Sequence, residues 1–456
     1  MNILVVNGSP KGQRSVTLKT VQYLEKRHSE HSFRYLDAAA RIRALENDFT
    51  PAAKQLKEAE LILFSYPVYT FLAPAQLHRF FELASENDVL LTGVHASQIT
   101  TSKHFFDTTA HTCIQANMAD LGLTTYRGLS ADMEDLLTPE GRKQAEDYFA
   151  RLMFEISRSM GKAPVPVERA ARVPYTASLK AVPKRSDFRV ALVYAAEASD
   201  TNVLAMMEDF ERVLPFETVR ADVSSFPFQG GCLGCLNCAQ DGKCIYTDGF
   251  EAFLNDRIHG CDATVYAFPI RHHYAPSSMK MFDDRQFCNG HRTVTAGSPV
   301  GYLVSGDYAA EPNLKTLFEG RASVGGNYFC GVATDEGNTA RDIENLAATL
   351  TMALGNGLTE PQSFLGVGGS KIFRDLVWSM QGFMRADHRF FKAHGMYDFP
   401  QNDKKTLWGM RLVGSMLNIP VLKKKIQPQM GKYMLKPYED VLSQVQAEKS
   451  DPAIQP

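Results

Sequence analysis

Short apolar runs alternate with stretches of helical periodicity along the first third of the chain. The segments at 3–6, 33–36 and 61–64 predict β-strands, and two further strands are expected around 96–99 and 124–128. Apolar positions at helical spacing follow the first strand as far as Leu24 and recur at 109–121 and 138–160. Because strands that alternate with helices form parallel sheets, this pattern predicts an α/β domain with a five-stranded sheet.

The same order of apolar runs begins again near residue 188. Val190–Tyr194 corresponds to Ile3–Asn7, and Tyr266–Ile270 corresponds to Phe64–Val68. Between these positions the offset of the two copies rises from 187 to 202 residues. The chain is therefore predicted to contain a duplicated domain, with an insertion between the second strand of the second copy and a helix near Asp248.

A proline-rich, basic stretch without periodicity separates the copies, and a tail follows them. The predicted divisions are a first domain at 1–162, a linker at 163–187, a second domain at 188–357 and a helical extension at 358–456. In the tail, an apolar stripe at 372–384 is expected to pack across the two domains or at a subunit interface. A second stripe at 408–417 precedes three lysines and would suit a membrane-surface helix. Such stripes usually mark a core, so membrane contact is not expected.

Composition indicates a soluble multidomain protein. Of the 456 residues, 44% are hydrophobic and 22% charged, and the 49 basic and 51 acidic residues give a net charge of -2. This balance gives no sign of a nucleic-acid partner. The N-terminus lacks a charged and apolar leader, and no apolar run reaches the roughly 18 residues of a membrane helix. We therefore expect a cytoplasmic protein, and eight cysteines without a disulfide framework fit a reducing compartment.

Half of the cysteines lie in one short run. Cys232, Cys235, Cys238 and Cys244 follow the spacing C-x2-C-x2-C-x5-C. Structural zinc sites usually take two ligand pairs from separate parts of the chain, whereas cysteines at successive three-residue intervals suit an iron-sulfur cluster. The last gap is longer than in ferredoxins and no proline follows it. We favour a 4Fe-4S cluster, and zinc or ordinary thiols remain alternatives.

The loop between the first strand and the first helix has the composition of a phosphate site. Residues 7–17 are rich in Gly, Ser and Thr, and Lys11 and Arg14 add positive charge. Such a loop at a helix N-terminus presents backbone N–H groups and a positive dipole end to an anion. The alternative is an ordinary strand-to-helix turn with Ser15 as the helix cap.

Two motifs together carry a family resemblance. The motif N-G-S-P-x-x-x-R-S at 7–15 and the motif S-Y-P-V-Y-x-F-x-x-P-A-Q-L at 65–77 resemble those of the flavodoxin-like NAD(P)H-dependent FMN, quinone and azo reductases. The resemblance implies that the ribityl phosphate of FMN is held by Ser9, Lys11, Arg14, Ser15 and Thr17. It also implies that the flavin ring is contacted by Pro67, Val68, Tyr69, Thr70, Thr101 and Ser102.

The loop after the fourth strand departs from that family. It carries Lys103 and His104 where the family usually has glycine, which leaves the substrate preference open. We assign Lys103, His104 and Tyr69 catalytic roles, as partners of the flavin carbonyl region or as proton donors. Alternatively, His104, Asp107 and His111 would share a helix face as metal ligands, or Asp107 or Thr108 would cap a helix.

The second copy resembles the iron-sulfur flavoproteins, in which a compact cysteine run precedes the third strand. Its phosphate loop has lost glycine, proline and cations, and Glu197 and Asp200 would repel a phosphate. We therefore expect FMN only in the first domain. The alternative is that serine hydroxyls and backbone N–H groups suffice to hold a phosphate, so that both domains bind FMN. Arg271–Tyr274 corresponds to the flavin-contacting loop and is interpreted either as a ligand-facing or as a solvated loop.

These patterns predict an α/β fold of two tandem flavodoxin-like doubly wound parallel-sheet domains with a helical C-terminal extension. The expected activity is transfer of electrons from NAD(P)H or an iron-sulfur donor, through FMN and a 4Fe-4S cluster, to a small acceptor such as a quinone, flavin or azo compound. A ferredoxin-like donor and a homodimer are compatible with this activity. The alternative is an electron carrier or redox sensor without its own substrate.

Overall fold

The computed structural model describes residues 1–164 and 173–426, together with positions 429, 435, 436, 438, 439 and 443. The chain divides into two compact units, Met1–Phe391 and Lys392–Pro456. Both copies of the repeat lie in the first unit. Residues 165–172 of the predicted linker lie outside the described residues.

The first half forms a parallel sheet with helices on both faces. Its strands are β1 (Asn2–Asn7), β2 (Ser32–Leu36), β3 (Leu61–Pro67), β4 (His95–Ser102), β5 (Thr124–Thr125) and β6 (Leu129–Asp132). They are ordered β2-β1-β3-β4-β5, and β6 also pairs with β4. This is the strand order of the flavodoxin-like fold, so the predicted fold class is confirmed. The expected fifth strand is divided, because pairing with β4 is interrupted at 126–128.

Six helices cover this sheet. They are α1 (Val16–Arg27), α2 (Ile42–Asn47), α3 (Thr50–Lys57), α4 (Ala75–Glu86), α5 (Asp107–Asp120) and α6 (Pro139–Ser157). Leu4 and Val6 pack into the core with α4, whereas Ile3 and Val5 pack into the core with α1 and α6. Alternate residues of β1 are thus buried on opposite faces, which explains its continuous apolar run.

The second half repeats this architecture. Its strands are β7 (Arg185–Tyr194), β8 (Phe216–Asp222), β9 (Ala263–Pro269), β10 (Pro299–Ser305) and β11 (Tyr328–Thr334), in the order β8-β7-β9-β10-β11. Its helices are α7 (Thr201–Val213), α8 (Asn237–Asp241), α9 (Phe250–Ala252) with a π-helical continuation at Phe253–Ile258, α10 (Ser277–Arg285), α11 (Pro312–Gly325) and α12 (Thr339–Asn356). The cysteine insertion lies between β8 and α9, as predicted.

Two equivalent turns confirm the register of the repeat. After β3, Tyr69 and Leu72 exchange N–H and C=O hydrogen bonds of 2.7 and 3.0 Å. After β9, Arg271 and Tyr274 do the same at 2.9 Å each. The two central residues of each turn have positive φ angles, 43° and 73° in the first and 49° and 63° in the second. Both are therefore type I′ turns made without glycine, 202 residues apart, a conformation that carries backbone strain.

The two halves are joined by reciprocal contacts between α4 and α10. The N–H of Ala75 donates to Asp284 Oδ2 at 2.8 Å, and the N–H of Ser277 donates to Glu82 Oε1 at 2.6 Å. Ser277 lies 202 positions after Ala75, and Asp284 lies 202 positions after Glu82. The two halves therefore meet about a pseudo-twofold axis. Phe71 and other first-half residues also belong to an apolar core that is built mainly from the second half.

In the described part of the tail the helices are α13 (Phe364–Ser379), α14 (Arg385–Ala393), α15 (Lys404–Leu417) and α16 (Pro420–Ile426). The ring of Phe373 in α13 lies 4.8 Å from Phe105 of the first half and 4.9 Å from His291 of the second. The expectation that this stripe packs across the two halves is confirmed. The apolar stripe of α15 is not core, since none of the residues of α15 or α16 is buried. Among the described residues, no helix is long and apolar enough to cross a membrane.

Candidate functional site

Three predicted loops meet at the carboxyl edge of the first sheet. They follow β1, β3 and β4, which are neighbours in the sheet. The register pairs Asn7 with Ser65 and Pro67 with Thr101, so the three strands end at nearly the same level. In open α/β sheets, ligands bind outside the carboxyl ends of the strands where the strand order reverses. The sheet order β2-β1-β3 places that reversal between β1 and β3.

The loop after β1 is tightly built. A β-carbon at Gly8 would lie 2.6 Å from Leu77 Cδ2, and Gly12 has a φ of 54°, so both positions favour glycine. Ser9 is buried, whereas Lys11 and Arg14 are exposed at the mouth of the loop. The basic side chains are therefore placed where an anion at this loop would meet them.

The start of α1 serves both interpretations of this loop. Ser15 Oγ accepts a hydrogen bond of 3.4 Å from the Leu18 N–H, so Ser15 caps the helix as the plainer alternative required. The remaining N–H groups of the first turn have no acceptor within the helix and face its N-terminal end. Thr17 Oγ1 lies 2.6 Å from Thr101 Oγ1 and links this loop to the end of β4. The loop fits a phosphate, because it combines N–H donors, a helix N-terminus and two cations.

The loop after β3 is held in place by the second half of the chain. Lys280 Nζ donates to the Tyr69 carbonyl at 3.1 Å and contacts Thr70 Oγ1 at 2.9 Å. Arg321 Nη2 donates to the Thr70 carbonyl at 2.8 Å. Asp284 accepts from Thr70 Oγ1 at 2.7 Å and pairs with Lys280. Sequence reasoning missed these supports, and its only signal was the helical spacing of Lys280 and Asp284.

Lys280 and Asp284 form a fully buried ion pair under the strained turn. Burial lowers the pKa of Lys280 and raises the pKa of Asp284, and the attraction between the two charges opposes both shifts. Lys280 has three oxygen partners and Asp284 three donors, including the Ala75 N–H. A buried pair with this many hydrogen bonds fixes the geometry of the turn. Loss of either residue would leave the charge of the other buried and uncompensated.

The loop after β4 contains Lys103 and His104. Lys103 Nζ donates to Asp132 Oδ1 at 2.9 Å, so its charge is already compensated. His104 is exposed, its Nδ1 lies 3.3 Å from Asp107 Oδ2, and its N–H donates to Ser102 Oγ at 2.8 Å. Of the two, His104 is the better placed to exchange a proton with a ligand.

The alternatives for this loop are not supported. The residue at the N-cap position of α5 is Phe106, without a side-chain cap, so the expectation that Asp107 or Thr108 caps the helix is wrong. His111 Nε2 lies 2.8 Å from Thr100 Oγ1, and burial lowers the pKa of His111 to about 4. Within the described residues no group of three or more His, Cys, Asp or Glu side chains is arranged to hold a metal ion.

The cysteine loop lies against the first half. A β-carbon at Gly234, between Cys232 and Cys235, would collide with Tyr69 Oη. Burial raises the pKa of Tyr69, and the neighbouring thiols of Cys232 and Cys235 raise it further. A β-carbon at Gly231 would collide with the Gln76 side chain. The cysteine loop of the second half is therefore packed on the turn after β3 and on the start of α4.

The four thiols are close enough to affect one another. Burial raises the pKa of Cys238 to about 12, with contributions from Cys244 and Cys235, and burial likewise raises the pKa of Cys232. The Gly234 N–H lies 3.4 Å from Cys232 Sγ. Four thiols suit a soft metal or an iron-sulfur cluster chemically. No preformed metal geometry is present among the described residues, so the ligand assignment stays a prediction.

A buried arginine anchors the base of this loop. Arg285 forms two hydrogen bonds of 2.8 Å with Asp248 and donates to the Gly230 carbonyl at 2.8 Å. Its guanidinium also lies 4.5 Å from the Tyr246 ring centre and 5.0 Å from that of Phe250. Because both ends of the loop are tied to Arg285, the cysteines are held on a rigid base.

The corresponding edge of the second sheet has a different character. A cavity of about 440 Å³ is lined there by Ser199, Thr201, Asn202 and Arg271, among others. Arg271 pairs with Asp200, so the cation is not available for a phosphate. An empty second flavin site stays a prediction.

The loop at Arg271–Tyr274 is not simply solvated. Tyr274 is buried, and its hydroxyl donates to Asp283 Oδ2 at 2.5 Å. His273 contacts Glu311 at 2.7 Å and Asp120 of the first half at 3.1 Å. This loop therefore contributes to the junction between the halves.

The sequence and structure of the chain are similar to those of known flavoproteins. Residues 1–138 match the family model described as a flavodoxin-like fold. An iron-sulfur flavoprotein of Clostridioides difficile strain 630 is 29% identical over 80 residues, which are 18% of this chain and 36% of that relative. The alignment thus spans only about a third of the relative's length.

Two solved structures are similar to part of the chain. An NAD(P)H:quinone oxidoreductase from Methanothermobacter marburgensis is 14% identical, with a TM-score of 0.29, and the match covers 38% of this chain and 100% of that one. A flavoenzyme NAD(P)H:(acceptor) oxidoreductase from Paracoccus denitrificans is 14% identical, with a TM-score of 0.28, covering 35% of this chain and 98% of that one.

Proposed function

We propose that the protein is a flavin-dependent oxidoreductase that carries FMN at the edge of the first sheet and a 4Fe-4S cluster in the cysteine loop. It would take electrons from NAD(P)H or an iron-sulfur donor and deliver them to a small acceptor such as a quinone, a flavin or an azo compound. The observation that carries the proposal is the packing of Gly234, inside the cysteine run, on Tyr69 of the first half. This contact joins the two expected cofactor positions within one chain.

The first-half loops have separate roles in this proposal. Ser9, Lys11, Arg14, Ser15 and Thr17 would hold the ribityl phosphate, and Pro67, Val68, Tyr69, Thr70, Thr101 and Ser102 would contact the ring. Lys280 and Arg321 keep the Tyr69–Thr70 turn in its strained conformation through the hydrogen bonds to its carbonyls. When bound, FMN would supply two-electron and one-electron chemistry, and the cluster would supply one-electron transfer.

Proton delivery is assigned to His104. Asp107 lies within 3.3 Å of His104 Nδ1, which orients the imidazole and leaves Nε2 for the substrate. Lys103, whose charge is compensated by Asp132, would serve as a hydrogen-bond donor to the flavin carbonyl region and would not supply a proton. Tyr69 would act through its position between flavin and cluster, because burial and thiols keep its hydroxyl protonated.

The second copy would replace a partner subunit. Its α10 meets α4 as a symmetry mate would, and it contributes the cysteine loop in addition. In a reducing cytoplasm, the expected compartment, the four cysteines of the run would stay available as cluster ligands. The relative from Clostridioides difficile is called an iron-sulfur flavoprotein, and this name supports the pairing of a flavin with an iron-sulfur centre in the proposal.

The test begins with anaerobically purified protein, in which flavin, iron, zinc and sulfide are measured together with the ultraviolet-visible spectrum. We expect FMN with four iron atoms per chain. Cys235→Ser should abolish the iron absorbance and keep FMN, whereas Cys261→Ser, outside the run, should keep both. Stoichiometric zinc without iron would contradict the cluster assignment.

Flavin binding is tested separately with Arg14→Glu. Losing one charge-assisted phosphate contact, worth about 1.5–3 kcal/mol, should weaken FMN binding by roughly 10- to 150-fold. Lys19→Glu, an exposed charge reversal in α1, which follows the loop, should not. Turnover is then followed as NAD(P)H oxidation with menadione as acceptor. Full cofactor content without turnover would favour the electron carrier over the enzyme.

A further inference from the structure

The segment 404–426, comprising α15 and α16, is both apolar and exposed. Trp408 is 66% exposed, Met410 64%, Leu412 65% and Val421 70%. None of the residues of the two helices is buried. Water contact with this many large apolar side chains is unfavourable, and such a patch usually marks an interaction surface.

The charge of this segment has a single sign. Its sequence contains six basic residues, Lys404, Lys405, Arg411, Lys423, Lys424 and Lys425, and no aspartate or glutamate. The whole chain, in contrast, has a net charge of -2. The positive charge is therefore concentrated beside the exposed apolar side chains.

The basic and apolar residues of α15 are sorted by helical position. Lys404, Arg411 and Ser415 fall on one narrow strip at a spacing of seven and four residues. The aliphatic side chains occupy the remaining arc, in which Lys405 of the first turn is the exception to this sorting. Trp408 lies at the border of the arc, with the Arg411 guanidinium 5.1 Å from its ring centre. A wide apolar face, a basic strip and a tryptophan between them are the features of a helix that lies in a membrane interface.

We propose that the α15–α16 segment docks on an anionic lipid surface. Such a surface supplies acyl chains for the apolar arc and negative headgroups for the six cations. A second copy of the segment fits less well, because it would bring six further positive charges against the first six. The helix lies on the surface and does not span it, in agreement with the absence of a membrane-crossing helix among the described residues. The sequence pattern did not lead us to expect membrane contact, and the exposure of α15 is the observation that favours it.

The experiment uses the full-length protein and two kinds of vesicle. Vesicles of phosphatidylcholine alone and of phosphatidylcholine with phosphatidylglycerol are sedimented with the protein. We expect binding to the mixed vesicles that weakens in high salt. Changing Lys423, Lys424 and Lys425 together to Glu should lower the partition coefficient by at least about 100-fold, since each basic residue contributes roughly fivefold. The control changes Lys19, Lys26 and Lys57, exposed lysines of the first half, to Glu and should bind as the wild type does.

The apolar face is tested by fluorescence. The chain has two tryptophans, so Trp378→Phe leaves Trp408 as the single emitter. Its emission should shift to shorter wavelength when mixed vesicles are added. The proposal is overturned if the wild type does not bind the mixed vesicles, or if both lysine variants bind equally. It is also overturned if sedimentation velocity without lipid shows a dimer that Trp408→Ser abolishes, because the face would then be a contact between copies.

Discussion

The junction between the two halves should lose stability in mildly alkaline solution because of His273. Its Nδ1 lies 2.7 Å from Glu311 Oε1 and its Nε2 3.1 Å from Asp120 Oδ2, so the ring joins a carboxylate of each half. Burial opposes the charge, but the two carboxylates outweigh it and raise the pKa of His273 to about 9. The perturbation is His273→Gln, which removes the charge and keeps a side chain of polar character.

The magnitude follows from the shift. A histidine with a pKa of 6.5 in the unfolded chain and about 9 in the folded one stabilises the fold by about 3 kcal/mol, at roughly 1.4 kcal/mol per pH unit. Because the folded pKa is the higher one, this stability is fully present below about pH 6.5 and is lost as the pH rises through 9. The side chain is 11% exposed, so screening by solvent reduces the effect only modestly.

The assay compares urea unfolding at about pH 6 and about pH 9.5. The free energy of unfolding of the wild type should fall by about 3 kcal/mol more over this interval than that of His273→Gln. His28→Gln is the control. Glu30, the partner of His28, is 61% exposed, so the pH dependence of unfolding of this variant should match that of the wild type. Equal pH dependence in wild type and His273→Gln, or a His273 resonance that titrates near pH 6.5 by NMR, would refute the reasoning.

Two further predictions concern the support of the site. Gly234→Ala should push the cysteine loop off Tyr69 and lower the rate of electron transfer between the two cofactors, measured by stopped-flow spectroscopy. Gly395→Ala has a similar positive φ and no atom within 4 Å of its β-carbon, so it should leave that rate unchanged. Lys280→Met should cost about 3–5 kcal/mol of unfolding free energy, because it leaves the Asp284 charge buried and unpaired. Adding Asp284→Asn to Lys280→Met should restore at least half of the lost unfolding free energy. A loss below about 3 kcal/mol for Lys280→Met alone would show that Lys280 is not charged.

Local sequence patterns accounted for the fold and for the expected ligand loops. The strands β1 and β3 were predicted within a few residues because each is a short apolar run that ends in a turn, and β4 was expected from its place in the alternation of strands and helices. The 202-residue offset was confirmed by the two type I′ turns, since turn geometry depends mainly on its own four residues. The divided fifth strand and the N-cap of α5 were not predicted, because both depend on contacts with neighbouring strands and loops.

Periodicity and short motifs were enough to predict the duplicated α/β architecture, the phosphate-type loop at 7–17 and the cysteine run at 232–244. These features depend on periodicity and on residues close together in the chain. Only the tertiary structure decided that Gly234 lies on Tyr69, that Lys280 and Asp284 support the turn of the other half, and that α15 is exposed. Each of these depends on which distant surfaces meet, and an apolar stripe or an ion pair has the same local pattern whether its partner is the core, the other half or a membrane.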